Sequence, residues 1–113
     1  FTQNELATSV GFEGKSLRRN APTLLNVALH DSFQRDGAKA SLEEQVWGPL
    51  LAPNEMANGS VEAVVSRLKN LADYRGLFEA AFAGQTADQE TIGQALASYE
   101  RTLLADDSRF DRW

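Results

Sequence analysis

The chain has 113 residues, 42% of them hydrophobic and 24% charged, with a formal net charge of -5. That composition fits one globular core and excludes collagen-like, low-complexity and disulfide-stapled architectures. The lack of cysteine also excludes Cys-type zinc sites, iron–sulfur clusters and covalent haem attachment within these residues.

The excess of acid repels nucleic-acid phosphate. The cations are scattered, with Arg18-Arg19 the only adjacent pair, so no nucleic-acid partner is expected. No apolar run approaches the roughly 18 residues that span a bilayer, so no membrane span is expected either. The first residues, Phe1-Thr2-Gln3-Asn4, lack an initiator methionine, a basic stretch and an apolar stretch, and the chain reads as an excerpt from which any targeting segment is missing.

Residues 1–20 place Gly11 and Gly14 among polar residues without a sustained period, which predicts an extended arm or loop. Residues 21–113 form the predicted helical core of a single fragment. Its first helix follows Pro22 over Thr23 to His30, and Asp31 to Ala40 is a loop containing Asp36-Gly37. Ser41 and Glu44 predict a capping box for a second helix that stops near Gly48-Pro49.

Leu50 to Gly59 reads as a connection carrying Pro53, Glu55 and Met56. Ser60 caps a third helix with Val61, Val64, Val65, Leu68 and Leu71 along one stripe. Asp73 caps a fourth, with Leu77, Phe78, Ala81 and Phe82 inward and Gly84 at its end. Thr86 with Gln89 predicts the capping box of the last helix, whose inner side is Ile92, Ala95, Leu96, Tyr99 and Leu103. Every periodic segment is helical, so the predicted fold class is all-α, with short helices and long loops.

Few residues carry chemistry on their own. A lone histidine, His30, cannot build a triad or a two-imidazole metal site, and it reads as a capping or partly buried side chain with haem or metal contact as the alternative. Glu43 and Glu44 read as first-turn carboxylates, and Asp106-Asp107 as a solvated turn. Glu55 differs, because it stands in a connection flanked by apolar residues, a setting suited to proton transfer. Asn58-Gly59-Ser60 is a glycosylation sequon that a capped Asn-Gly turn explains equally well. Met56 reads as core gap filling before haem ligation, and Trp47 and Trp113 as packing residues.

Several phrases in combination resemble the bacterial di-haem cytochrome c peroxidase family, which includes the methylamine-utilisation di-haem enzymes. They are Arg19-Asn20-Ala21-Pro22-Thr23-Leu24-Leu25-Asn26, Asp36-Gly37, Ser41-Leu42-Glu43-Glu44-Gln45, Gly48-Pro49, Asn54-Glu55-Met56, Tyr99-Glu100-Arg101-Thr102-Leu103 and Phe110-Asp111-Arg112-Trp113. Order and spacing agree over roughly residues 11 to 113. The resemblance implies a periplasmic oxidoreductase that reduces hydrogen peroxide with electrons from a small donor protein, a cytochrome or a cupredoxin. It also implies two c-type haems attached through Cys-x-x-Cys-His motifs outside this segment, which alone would be inactive.

By the same resemblance, Gln45 and Glu55 match the distal-pocket glutamine and glutamate, the first positioning peroxide and the second shuttling its proton. Asn20 matches a ligand of the calcium ion between the haem domains. Arg35 stands where the family usually places a tryptophan between the haems, and a guanidinium is a poor electron relay. Phe12 falls near a loop histidine that closes the peroxidatic iron in many peroxidases, which implies an iron site open without reductive activation. Ala38 replaces an arginine common after Asp-Gly. Two alternatives stand beside this reading: a methylamine-utilisation-like enzyme that oxidises a partner protein, and a non-catalytic helical interaction module. Surfaces that pack on haem in the family could also pair two copies of this segment as a homodimer.

Overall fold

The computed structural model describes residues 6–31, 33, 39–106, 109 and 112–113. These are all-α, with no strand among them and two isolated bridges, Val10 to Ser16 and Phe33 to Lys39. Five short helices follow in order: α1 Leu42–Gln45, α2 Trp47–Leu51, α3 Val61–Asn70, α4 Leu77–Ala81 and α5 Gln89–Arg101. Single 3₁₀ turns cover Phe12–Gly14, Val27–Leu29 and Ala72–Tyr74.

The helices meet over one core of Val46, Trp47, Val64, Phe78, Ala87 and Ile92, with Leu50, Leu51, Val61, Val65, Leu68 and Phe82 packed around it. Phe78 stacks on Phe82 with ring centroids 6.0 Å apart, and Tyr74 tilts against Phe78 at 6.4 Å. Burial of such apolar surface is the main force holding short helices that would be marginal alone.

Ser60 caps α3 as predicted and Ser41 supplies its half of the predicted box at α1, accepting from the amides of Ala63 and Glu44 at 3.2 Å each. Gly84 is left-handed at φ +89°, and its N–H donates to the Glu79 carbonyl at 2.8 Å, closing the end of α4.

Other elements depart from expectation for identifiable reasons. Residues 23 to 30 form only the 3₁₀ turn. Asn26 sits left-handed at φ 60°, and its N–H donates to the Leu103 carbonyl instead of a helical partner. Leu24, Leu25 and Leu29 stay exposed, so no buried face rewards a helix there. The helix begun at Ser41 does not stop at Gly48-Pro49 but restarts as α2, where Pro49 occupies the first turn and its missing N–H costs nothing. Gly76, not Asp73, precedes α4. Leu71, Leu77 and Ala81 face solvent, leaving Phe78 and Phe82 as the inward pair.

The capping box of α5 lies two residues beyond Thr86. Thr91 donates its N–H to Asp88 Oδ1 at 2.8 Å, and Asp88 donates its own to Thr91 Oγ1 at 2.9 Å. The buried face of α5 is Ile92, Gly93 and Ala97, while Leu96 and Tyr99 are exposed. Small side chains decide this, because Gly93 lets α1 approach until a β-carbon on it would lie 3.2 Å from the Glu43 carbonyl oxygen. Trp47 is buried as expected, whereas Trp113 is fully exposed.

Candidate functional site

Gln45 is the last residue of α1, and α1 is fixed to α5 at both its backbone and its surface. Gly93 permits the close approach, and Arg101 Nη1 pairs with Glu43 Oε1 at 2.8 Å. That hydrogen bond holds the Glu43 carboxyl below its usual range and raises the Arg101 guanidinium. Beside the pair, burial pushes the Glu100 carboxyl up, and its Oε2 has no hydrogen-bond partner among the described residues.

Glu55 reaches the same region because the chain doubles back after α2. The amide of Glu55 donates to the Ala52 carbonyl at 2.9 Å, that of Met56 to Pro49 at 3.2 Å, and that of Ala57 to Ala52 at 3.0 Å, with Ala57 left-handed at φ 54°. Asn58 clamps the turn, its Nδ2 donating to the Leu50 carbonyl at 2.9 Å.

A third wall comes from the arm. Leu17 donates its amide to the Ser9 carbonyl at 2.8 Å, and the buried Ser9 hydroxyl accepts from the Ala21 amide at 2.9 Å. The arm then leans on the α2 turn, with the Phe12 amide donating to the Asn54 carbonyl at 3.3 Å.

Arm, α1–α2 and turn enclose a hollow of about 890 Å³ that both Gln45 and Glu55 line. Its walls include the apolar Phe12, Leu17, Pro22, Pro49 and Met56, and Arg18, Arg19 and Asn20 also line it. A mostly apolar hollow with a few convergent polar groups is the usual form of a small-molecule site. A carboxyl and a carboxamide there can hold a small hydrogen-bonding molecule and move a proton between its atoms. A second hollow of about 540 Å³, between α3 and the start of α5, is lined by none of the sequence-predicted site residues.

A family model described as di-haem cytochrome c peroxidase matches residues 1–113. The chain belongs to the di-haem cytochrome c peroxidase family. Similar relatives include a methylamine utilization protein MauG from Methylorubrum extorquens, 42% identical over 96% of this chain and 31% of that protein. The cytochrome c551 peroxidase of Nitrosomonas europaea is 32% identical over 97% of this chain and 33% of its own length. The diheme peroxidase BthA of Burkholderia thailandensis superposes with a TM-score of 0.77 at 26% identity, covering 93% of this chain and 30% of BthA. The chain therefore spans about a third of the length of the relatives it matches.

Within this di-haem peroxidase segment, Asn20 is a strut of the arm, its Nδ2 donating to the Ala7 carbonyl at 2.9 Å and its Oδ1 accepting from the Ser9 hydroxyl at 3.4 Å. No group of three or more His, Asp or Glu able to hold a metal lies together among the described residues. Arg35, with Asp36, Gly37 and Ala38, lies outside the described residues. His30 is exposed rather than partly buried, and it is not among the residues lining the hollow. Met56 is 60% exposed on the wall of the hollow rather than filling the core.

Ser9, Gly11 and Asn54 complete the site, and none of them is assigned a role there by the sequence. Ser9 and Gly11 stand in an unpatterned polar stretch, and their contacts reach Ala21 and Asn54. Only Gly11, a glycine without an adjacent turn partner, hints at a backbone contact.

Proposed function

We propose that the whole protein is a periplasmic di-haem oxidoreductase that reduces hydrogen peroxide with electrons from a small redox protein, and that this segment supplies the wall facing the bound peroxide. The observation that carries the reading is that Gln45, at the end of α1, and Glu55, in the turn after α2, line one largely apolar hollow. The residues fit a haem face in one respect: the walls are apolar and offer a carboxyl and an amide. Attachment falls to residues beyond these 113, since the chain has no cysteine and its single histidine does not line the hollow.

When bound, the haem supplies the iron that takes up peroxide and the electrons that reduce it. Glu55 then accepts the proton of one peroxide oxygen and returns it to the other, so that the departing oxygen leaves as water. Gln45 orients the molecule, its carbonyl accepting and its NH₂ donating. The apolar walls exclude bulk water and strengthen both interactions. Phe12, in the wall, has a phenyl ring that cannot ligate iron, which supports a site open in the oxidised protein. A six-coordinate low-spin spectrum of both oxidised haems would overturn that part. Asn20 offers a carboxamide oxygen as one calcium ligand of a site completed by other segments.

The test is Glu55→Gln in the full-length protein. Peroxide turnover is expected to fall about 10²- to 10⁴-fold with the haem absorption spectrum intact, the range general acid–base groups supply. Unchanged turnover removes Glu55 from the chemistry.

A second reading rests on the higher identity to methylamine utilization proteins, 36% to 42% against 32% to 35% for named peroxidases. On that reading, the same hollow serves oxidation of a partner protein. It is supported if peroxide is consumed only when a partner from methylamine metabolism is present, and overturned if a small cytochrome or cupredoxin suffices.

A further inference from the structure

Leu50, in the last turn of α2, packs against the core, and its carbonyl is one of those a helix end leaves without a helical partner. Asn58 takes that carbonyl twice, donating from its backbone amide at 3.2 Å and from Nδ2 at 2.9 Å. Its Oδ1 accepts from Arg67 Nη1, on α3, at 3.3 Å. One carboxamide therefore joins the end of α2 to α3 and closes residues 50–58 into a loop, with Glu55 inside it.

The acid has no hold of its own. Among the described residues the Glu55 carboxyl makes no hydrogen bond, so its place on the hollow follows from the course of its backbone. Two residues on, Ala57 is left-handed at φ 54°, a conformation that its β-carbon disfavours. Such a residue stays there only where its surroundings compel it.

We propose that Asn58 is the positioning residue of Glu55, locking the left-handed turn that presents the carboxyl to peroxide; this rests on the peroxide reading above. Released from Leu50, Ala57 relaxes to negative φ and carries Glu55 away from the molecule that Gln45 orients. The role suits a carboxamide, which donates to a carbonyl and accepts from a guanidinium at once, as an ionised carboxylate cannot. Ser60 supports it by capping α3, the helix that carries Arg67. The triplet Asn58-Gly59-Ser60 thus serves the site as a lock and a cap.

The experiment is a double-mutant cycle in the full-length protein. Chemically reduced protein is mixed with hydrogen peroxide and the rate is read from the haem absorption, while the spectrum before mixing and thermal unfolding report the fold. Asn58→Ala removes both side-chain bonds. Asn58→Asp keeps the shape and the acceptor for Arg67 and loses only the donor to Leu50, and it carries the test if the alanine variant does not fold. Each is expected to lower the rate about ten- to a hundredfold beside Glu55, the scale of a misplaced reacting group, with the starting spectrum unchanged. In a Glu55→Gln background each is expected to change the rate less than about twofold, because nothing is left to position. A merely structural role would cost the same in both backgrounds. Equal loss in both, or an aspartate variant as fast as the parent, overturns the inference and leaves the peroxide reading standing where Glu55→Gln alone lowers the rate. Glu55→Gln without effect overturns that reading and the inference with it.

Discussion

Gly11 lies so close to Asn54 that a β-carbon on it would collide with the Asn54 carbonyl oxygen, the same oxygen that accepts the Phe12 amide. The arm can close the hollow only because position 11 has no side chain. Glu55 and Met56 follow Asn54 directly, so any displacement of the arm bears on the turn that presents them.

Gly11→Ala is therefore expected to cost about 1–3 kcal/mol, the range for overpacking, and to lower peroxide turnover of the full-length protein as the wall opens. Thermal unfolding and turnover of the same variant check both effects. Gly59→Ala is the control, because nothing lies within 4 Å of its added carbon. It should stay within about 0.5 kcal/mol of the parent. Equal behaviour of the two variants would remove the steric explanation.

The carboxyls at the α1–α5 contact predict opposite pH responses. Glu43 is lowered from 4.5 by its Arg101 hydrogen bond, so its contribution is present above that ordinary value and is lost as pH falls through the lowered one. Its pairing is partly exposed, and Glu43→Gln should cost no more than about 1 kcal/mol near neutrality. Glu100 is raised from 4.5 by burial, so it holds its proton more tightly folded than unfolded. Ionised Glu100 then opposes folding in full above the raised value, and the penalty is gone once pH drops below the ordinary one. Glu100→Gln is expected to stabilise at neutral pH, with its unfolding temperature converging on the parent's in acid. A gap independent of pH would show that burial of the charge is not the cause.

Asn26 ties the turn before His30 to the end of α5. Its Nδ2 donates to the Ala105 carbonyl at 3.0 Å, and its Oδ1 accepts from the Ala105 amide at 2.8 Å. Asn26→Ala loses both bonds and keeps a left-handed φ of 60°, whereas Asn26→Gly loses the bonds without the strain. We expect about 1–3 kcal/mol for alanine and about 1 kcal/mol less for glycine, read from denaturant unfolding. Identical values would discount the backbone strain, and no loss in either would discount the tether.

Much of this was legible in order along the chain. Ser41 and Ser60 marked two helix starts, Gly84 marked a helix end, and the Val61, Val64, Val65 and Leu68 stripe marked α3, because caps and periodicity are local properties. The family phrases singled out Gln45 and Glu55 before any fold was known. The misreadings at 23–30 and on the face of α5 share another cause. Hydrophobicity alone does not set the inward face: Leu29 and Tyr99 are exposed, and on α5 Gly93 and Ala97 pack because the closeness of α1 selects small side chains.

By itself, then, the sequence determined the helical class and the helix termini at Ser41, Ser60 and Gly84, since each depends on neighbours a few residues away. Only the tertiary structure decided that Gln45 and Glu55 share a hollow, that the arm from Ser9 to Ala21 forms its third wall, and that Met56 faces the hollow rather than the core. The physical reason is one of range. A cap or a stripe is set by bonds and contacts within a turn of helix. A hollow is what remains after segments distant in the chain have met, and its lining depends on backbone approaches, such as Gly11 to Asn54, that no local pattern records.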